Sequence, residues 1–246
     1  MYPAFSPTDC SQRRKIFVYS DEGVSVESVN MLCFSLRKLC NPWKYEVATI
    51  SADRIISTEW EKECILIVFP GGAANPYHRK LSSRIGNGGN MRIRKFVENG
   101  GHYLGICAGA YYACSHIEFD IGGPHEVNCD YELRFFSGTG RGPAMKGFDY
   151  YSNKGTYASH FKWEDNEGIA FFQGGPGFDV SQNECTVLSR FCTQPGLDCD
   201  PDTPACIMCN VERGCAILCS LHVEFDPWIP KILHPVLEEL QDKVGK

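Results

Sequence analysis

An α/β fold is predicted: a parallel sheet with helices on both faces, extended by antiparallel strands in the second half. Three observations predict it. Over the first half of the chain, short apolar runs alternate with helix-period segments, as βαβ units require. Two of those runs, "KIFVYS" (15–20) and "CILIVF" (64–69), are apolar almost throughout, the pattern of strands covered on both faces. In the second half, strand-like segments follow one another with turns between them, which fits antiparallel additions. The 246 residues, 43% hydrophobic, suffice for a sizeable core and read as one domain after a flexible N-terminus, 1–14.

Each element has its own reason. "KIFVYS" ends in a polar turn and reads as the first buried strand. Val29, Leu32, Cys33, Leu36, Leu39 and Cys40 then recur at three- and four-residue steps, one face of a helix that Asn41-Pro42 stops. "YEVATI" (45–50) alternates as a strand, and "CILIVF" breaks at Pro70-Gly71-Gly72. Asn90 suits the cap of a helix through Glu98, and Gly100-Gly101 suits its end. "HYLGI" (102–106) is the next buried strand, and helix pattern resumes at Ala108. "YELRFF" (131–136), "TYASHF" (156–161), "GIAFFQ" (168–173), "TVLSRF" (186–191) and "AILCSLHVEF" (216–225) read as strands, the last returning to the main sheet. Residues 193–206, rich in Pro, Asp and Gly, read as an exposed loop insertion, and Val236, Leu237 and Leu240 as a terminal helix from Pro235.

Composition excludes several roles. A net charge of −6 gives no nucleic-acid surface. No apolar run approaches a membrane span and the N-terminus carries no secretory pattern, so the expected location is the cytoplasm. The 14 cysteines then read mostly as small buried hydrophobes. Cys206-Ile207-Met208-Cys209, with Cys192 and Cys199 upstream, has irregular spacing for a tetrahedral zinc site, so no metal is expected. A Cys199–Cys206 disulfide across the loop is the alternative.

Cys107 is the exception, because it ends one buried strand and opens a helix. A sharp strand-to-helix corner needs small neighbours, and Gly105 and Gly109 flank it. The corner lifts the thiol to the carboxyl edge of the sheet, where the helix N-terminus favours the thiolate. His222 and Glu224 supply a base and a group to orient it. Gly71, Gly72 and Ala108 offer bare backbone N–H groups for an oxyanion. Tyr111, Glu132, Arg134, Gly174 and Gly175 are candidates for the pocket, with ion pairing as the rival reading for Glu132 and Arg134.

Gly-x-Cys-x-Gly after a strand, a downstream His-x-Glu and an upstream Pro-Gly-Gly resemble the class I glutamine amidotransferase superfamily. Longer stretches, "VFPGGAANPYHRKL", "GNMRIRKFVENGGHYLGICAGAYYACSHIEFD", "ELRFFSGTGRGPAMKGFDYYS" and "FQGGP", resemble its branch at the N-terminus of eukaryotic biotin–protein ligases, over roughly residues 15–225. The resemblance implies a flavodoxin-like sheet and a Cys107–His222–Glu224 triad suited to amide or acyl hydrolysis or transfer through a thioester. It implies a small-molecule amide or acyl substrate and no cofactor. Tyr111 stands where glutaminases of the superfamily have Gln, so glutamine does not carry over as the substrate; Val223 stands where they have Pro, a change the triad chemistry survives. No ligase catalytic domain is visible, and Lys146 of "AMK" is not expected to accept biotin. The alternative is a non-catalytic regulatory or ligand-binding module that acts on a biotin–protein ligase domain in trans.

Overall fold

The computed structural model describes residues 14–82, 88–181, 184–225 and 228–233. The described residues begin with strand β1 (Arg14–Tyr19), helix α1 (Val26–Leu39), β2 (Tyr45–Ile50), α2 (Ala52–Ser57), β3 (Cys64–Phe69), α3 (Ala74–Leu81), α4 (Gly89–Glu98) and β4 (His102–Ile106). A short α5 (Ala108–Tyr112) leads to β5 (Cys114–Phe119), β6 (Val127–Asp130) and β7 (Phe136–Gly142). Then come β8 (Thr156–Trp163), β9 (Asn166–Gln173), β10 (Gly177–Phe178), β11 (Thr186–Phe191), β12 (Pro204–Val211) and β13 (Gly214–Cys219). Among the described residues, no helix is long and apolar enough to cross a membrane.

The larger sheet runs β2-β1-β3-β4-β13-β12-β11-β8-β9 and the smaller β10-β7-β5-β6. The strands β2, β1, β3, β4 and β13 are parallel neighbours, and from β13 to β9 the pairing is antiparallel. The expected α/β sheet with late antiparallel strands is therefore present, and β13 is where the chain returns to the parallel half. Strand residues alternate between two cores. Ile16, Val18, Leu66 and Val68 join α1 residues Val29, Leu32 and Leu36, while Phe17, Tyr19, Ile67 and Phe69 join residues of α2 to α5 on the other face. Ser25 caps α1 by accepting from Ser28 N at 3.2 Å.

Several boundaries differ from expectation. "YELRFF" is not a strand: β7 starts only at Phe136, and Arg134 sits at φ +48°. The helix after Cys107 stops at Tyr112, where "CSHIEF" becomes β5 and pairs in parallel with β7. Asn90 does not cap α4. Gly88, at φ +81°, takes that place, and Asn90 is buried inside the helix, donating to Glu132 Oε2 at 3.0 Å and accepting from the Tyr112 hydroxyl. The 193–206 loop is shorter than expected, because Pro204, Ala205 and Cys206 begin the buried strand β12. The final strand ends at Cys219, and Val223–Phe225 form a 3₁₀ turn. Arg14 belongs to β1; the rest of the 1–14 segment and the terminal helix from Pro235 lie outside the described residues.

Candidate active site

Four parallel strands end at one edge, and each delivers part of the site. Ser28 follows β1, Gly71 and Gly72 follow β3, Cys107 follows β4, and His222 with Glu224 follow β13. This carboxyl edge is where open parallel sheets bind ligands.

Cys107 has φ +49° and ψ −103°, a strained backbone for a residue with a side chain. Its N–H donates to Cys219 O at 2.8 Å, which locks the corner to the neighbouring strand. The flanking glycines are required by contact. A Cβ on Gly105 would lie 2.4 Å from Gly109 O, and one on Gly109 would lie 2.1 Å from Phe69 O. The side chain of Cys107 is 6% exposed, and its thiol donates to Gln173 O at 3.2 Å.

His222 is held from both ends. Its backbone N–H donates to Phe171 O at 2.9 Å, and its Nδ1 lies 2.8 Å from Glu224 Oε1. The 3₁₀ turn folds Glu224 back onto the ring, and a Cβ on Gly71 would strike the ring at 2.5 Å. Burial alone would push this imidazole down. The negative charges of Glu224 and then Cys107 outweigh it and hold the imidazole well above its ordinary value. The sequence gives no signal for Ser28, which is fully buried and donates to Glu224 Oε1 at 2.6 Å. Ser28 also accepts from the Gly71 N–H at 3.1 Å, so one hydroxyl joins the glycine loop to the carboxylate. Glu224 Oε2 is buried and has no hydrogen-bond partner among the described residues.

Glu224→Gln is expected to lower the titration midpoint of the His222 ring, read by NMR of its Cε1 proton. Burial then opposes the charge without the carboxylate. The sign for stability follows: a raised folded pKa means the pair stabilises the fold below about pH 6.5 and loses that contribution as pH rises through the folded value. An unchanged midpoint would remove Glu224 as the cause.

The structure brings Cys107, His222 and Glu224 together, and it sorts the remaining candidates. The Gly71 amide is committed to Ser28, while the Gly72 and Ala108 amides have no acceptor among the described residues and line a cavity of about 300 Å3 with Cys107. Gly174 and the ring of Tyr111 also line it. The Tyr111 hydroxyl does not serve as a Gln amide would: it is buried without a partner, against Gly142. Gly175 packs on Ser220 and its carbonyl accepts from Ala144 N. Glu132 and Arg134 lie away from the cavity. Glu132 accepts from Ser82 and Asn90, and Arg134 is bound to Tyr131 O and faces Asp130 at 3.7 Å. Tyr150, Phe119 and Phe148 wall the cavity as well. Cys199 and Cys206 are free thiols, Cys206 facing Cys219 across β12 and β13. No group of three or more metal-ligating side chains converges among the described residues.

Fold and site together define an α/β protein that presents a cysteine on a strained strand-to-helix corner to a His–Glu pair. The chain belongs to the family of biotin-protein ligase N-terminal regions, which it matches over residues 14–244. It is 34% identical over 240 residues to an uncharacterized protein of Chlamydia muridarum, covering 95% of this chain and 89% of that one. It is 26% identical over 219 residues to the biotin–protein ligase of Schizosaccharomyces pombe, covering 85% of this chain but 33% of the ligase. Among solved structures, PurLQS from Thermotoga maritima superposes with a TM-score of 0.59 at 15% identity, covering 93% of this chain and 99% of that one. A putative ThuA-like protein from Bacteroides uniformis gives 0.56 at 13%, covering 95% and 93%. At those identities the likeness is one of fold.

Proposed function

We propose that this chain is a cysteine-dependent acyl-transfer enzyme of the amidotransferase-like kind, acting on a small amide or acyl compound in the cytoplasm. The observation that carries the reading is the strained Cys107 corner beside the His222–Glu224 pair. In the proposed reaction His222 takes the Cys107 proton and the sulfur attacks the carbonyl carbon. The Gly72 and Ala108 amides receive the oxyanion. His222 returns the proton to the leaving amine, the C–N bond breaks, and a thioester remains. Water, deprotonated by His222, then attacks the thioester and frees the acid and the thiol; an amine in place of water completes a transfer.

A second reading rests on one observation. Tyr111 fills the position of the glutaminase Gln, and its hydroxyl is buried without a partner, against Gly142. A chain without turnover would then bind a small ligand and regulate a biotin–protein ligase domain in trans. Brief treatment with a neutral haloacetamide, followed by peptide mapping, separates the two. The enzyme reading expects Cys107 to be modified before the more accessible Cys129 and Cys185; modification of those two first would refute it.

A further inference from the structure

The walls of the cavity speak to what it takes. Tyr111 meets Phe119 edge-on with centroids 5.5 Å apart, Phe119 meets Phe148 at 5.3 Å, and Phe148 meets Tyr150 at 4.7 Å. Tyr111 is on α5, Phe119 on β5, and Phe148 and Tyr150 on the loop between β7 and β8, and together they line the same cavity as Cys107. His125 joins them, its ring 5.0 Å from that of Tyr150 and its Nε2 3.7 Å from Asp149. Glu126, exposed, is also among the lining residues, and its carboxylate accepts from the Gly122 N–H at 2.8 Å. About 300 Å3 holds roughly ten water volumes at about 30 Å3 each, the scale of a small molecule and not of a folded partner.

An α-amino acid would meet poor chemistry here. No lysine or arginine is among the described residues that line the cavity, so an α-carboxylate has no fixed cation to meet there. Aromatic edges and faces instead favour a flat, uncharged group. We propose that the acyl donor is a neutral amide whose acyl portion is aromatic or otherwise flat and apolar, and not a free amino acid such as glutamine. The proposal rests on Cys107 being the nucleophile, and it adds the substrate class.

The test uses two chloromethyl ketones with the same reactive end. One carries the phenylpropanoyl chain; in the other an α-amino acid group replaces the phenyl ring. Each rate of Cys107 alkylation is divided by the same reagent's rate with glutathione. The phenyl reagent is expected to react at least ~10-fold faster, and Tyr150→Ala to shrink that preference toward unity, because stacking area is lost. Equal or faster alkylation by the amino acid reagent overturns the substrate class while leaving Cys107 the nucleophile. A preference that Tyr150→Ala leaves intact also overturns it. Should neither reagent single out Cys107, the enzyme reading fails, and binding to Cys107→Ala decides the pocket by calorimetry. Phenylpropanamide binding ~10-fold tighter than L-glutamine upholds the aromatic preference; equal or weaker binding overturns it.

Discussion

His222→Ala is expected to slow acylation of Cys107 by about two to four orders of magnitude, the usual contribution of a positioned general base. The reaction to follow is the burst of nitrophenolate from p-nitrophenyl acetate near neutral pH, with the acetylated residue located by mass spectrometry. Cys107 is close enough to the imidazole to raise its pKa, and the ring's Nδ1 is fixed on Glu224 at 2.8 Å. With alanine there, the thiol keeps only the Gln173 carbonyl, an acceptor that cannot carry the proton away. Ser28, donating to the same Glu224 oxygen, keeps that oxygen aimed at the ring. His222 is not among the residues that line the cavity, so a loss of acylation with the fold retained, checked by circular dichroism, reports proton transfer. A burst that persists in Cys107→Ala, or one that His222→Ala leaves within about threefold, would remove the pair from the chemistry.

Much of this arrangement could be read from residue order, and the reason is topological. Strands β1, β3, β4 and β13 are parallel, so whatever follows each one in sequence arrives at the same edge. Pro-Gly-Gly after β3 and Gly-x-Cys-x-Gly across the end of β4 are local signals, and parallel order converts them into neighbours. The His222–Glu224 pairing was legible for a different reason than the one the pattern suggests. The two do not share a strand face; a 3₁₀ turn brings Glu224 back to the ring. What sequence could not show was Ser28, because its role depends on helix α1 packing beside a turn almost two hundred residues later, a separation of 196 positions. For Glu132 and Arg134 the structural reading holds over the pocket one, because polarity in a matched stretch marks structural hydrogen bonds as readily as a pocket. Their hydrogen bonds fasten the segment that crosses from β6 to β7 onto α4 and its own turn. The aromatic wall escaped for a related reason: Phe119 and Phe148 look like core residues until the loops that bear Tyr150 and His125 leave a gap beside them.

Gly109→Ala should destabilise the fold by about 1–3 kcal/mol or more, and the sign of that change is the informative part. Gly109 lies inside helix α5, where alanine is ordinarily the better residue by about 1 kcal/mol. Propensity alone therefore predicts stabilisation. Packing predicts the reverse, because the new Cβ would sit 2.1 Å from the carbonyl oxygen of Phe69 and 2.7 Å from its carbon. Those atoms are backbone at the end of β3, fixed between β1 and β4, and cannot swing away as a flexible side chain would. For a chain of this size each kcal/mol moves the midpoint by about 2–4 °C, so a fall of roughly 2–12 °C is expected in thermal unfolding. Gly122→Ala separates close approach from backbone strain. That glycine has φ +80° with open space beyond it, so its cost comes from conformation alone, about 1 kcal/mol. A Gly109→Ala chain as stable as the parent, or more so, would show that α5 and β3 can part. They cannot part without consequence for the site. The Gly109 N–H donates to Pro70 O at 3.2 Å, so the helix that begins with Ala108 and the loop that carries Gly72 are tied at this one contact. Any shift that relieves the clash moves the two free amides relative to each other, and with them the place where an oxyanion would rest.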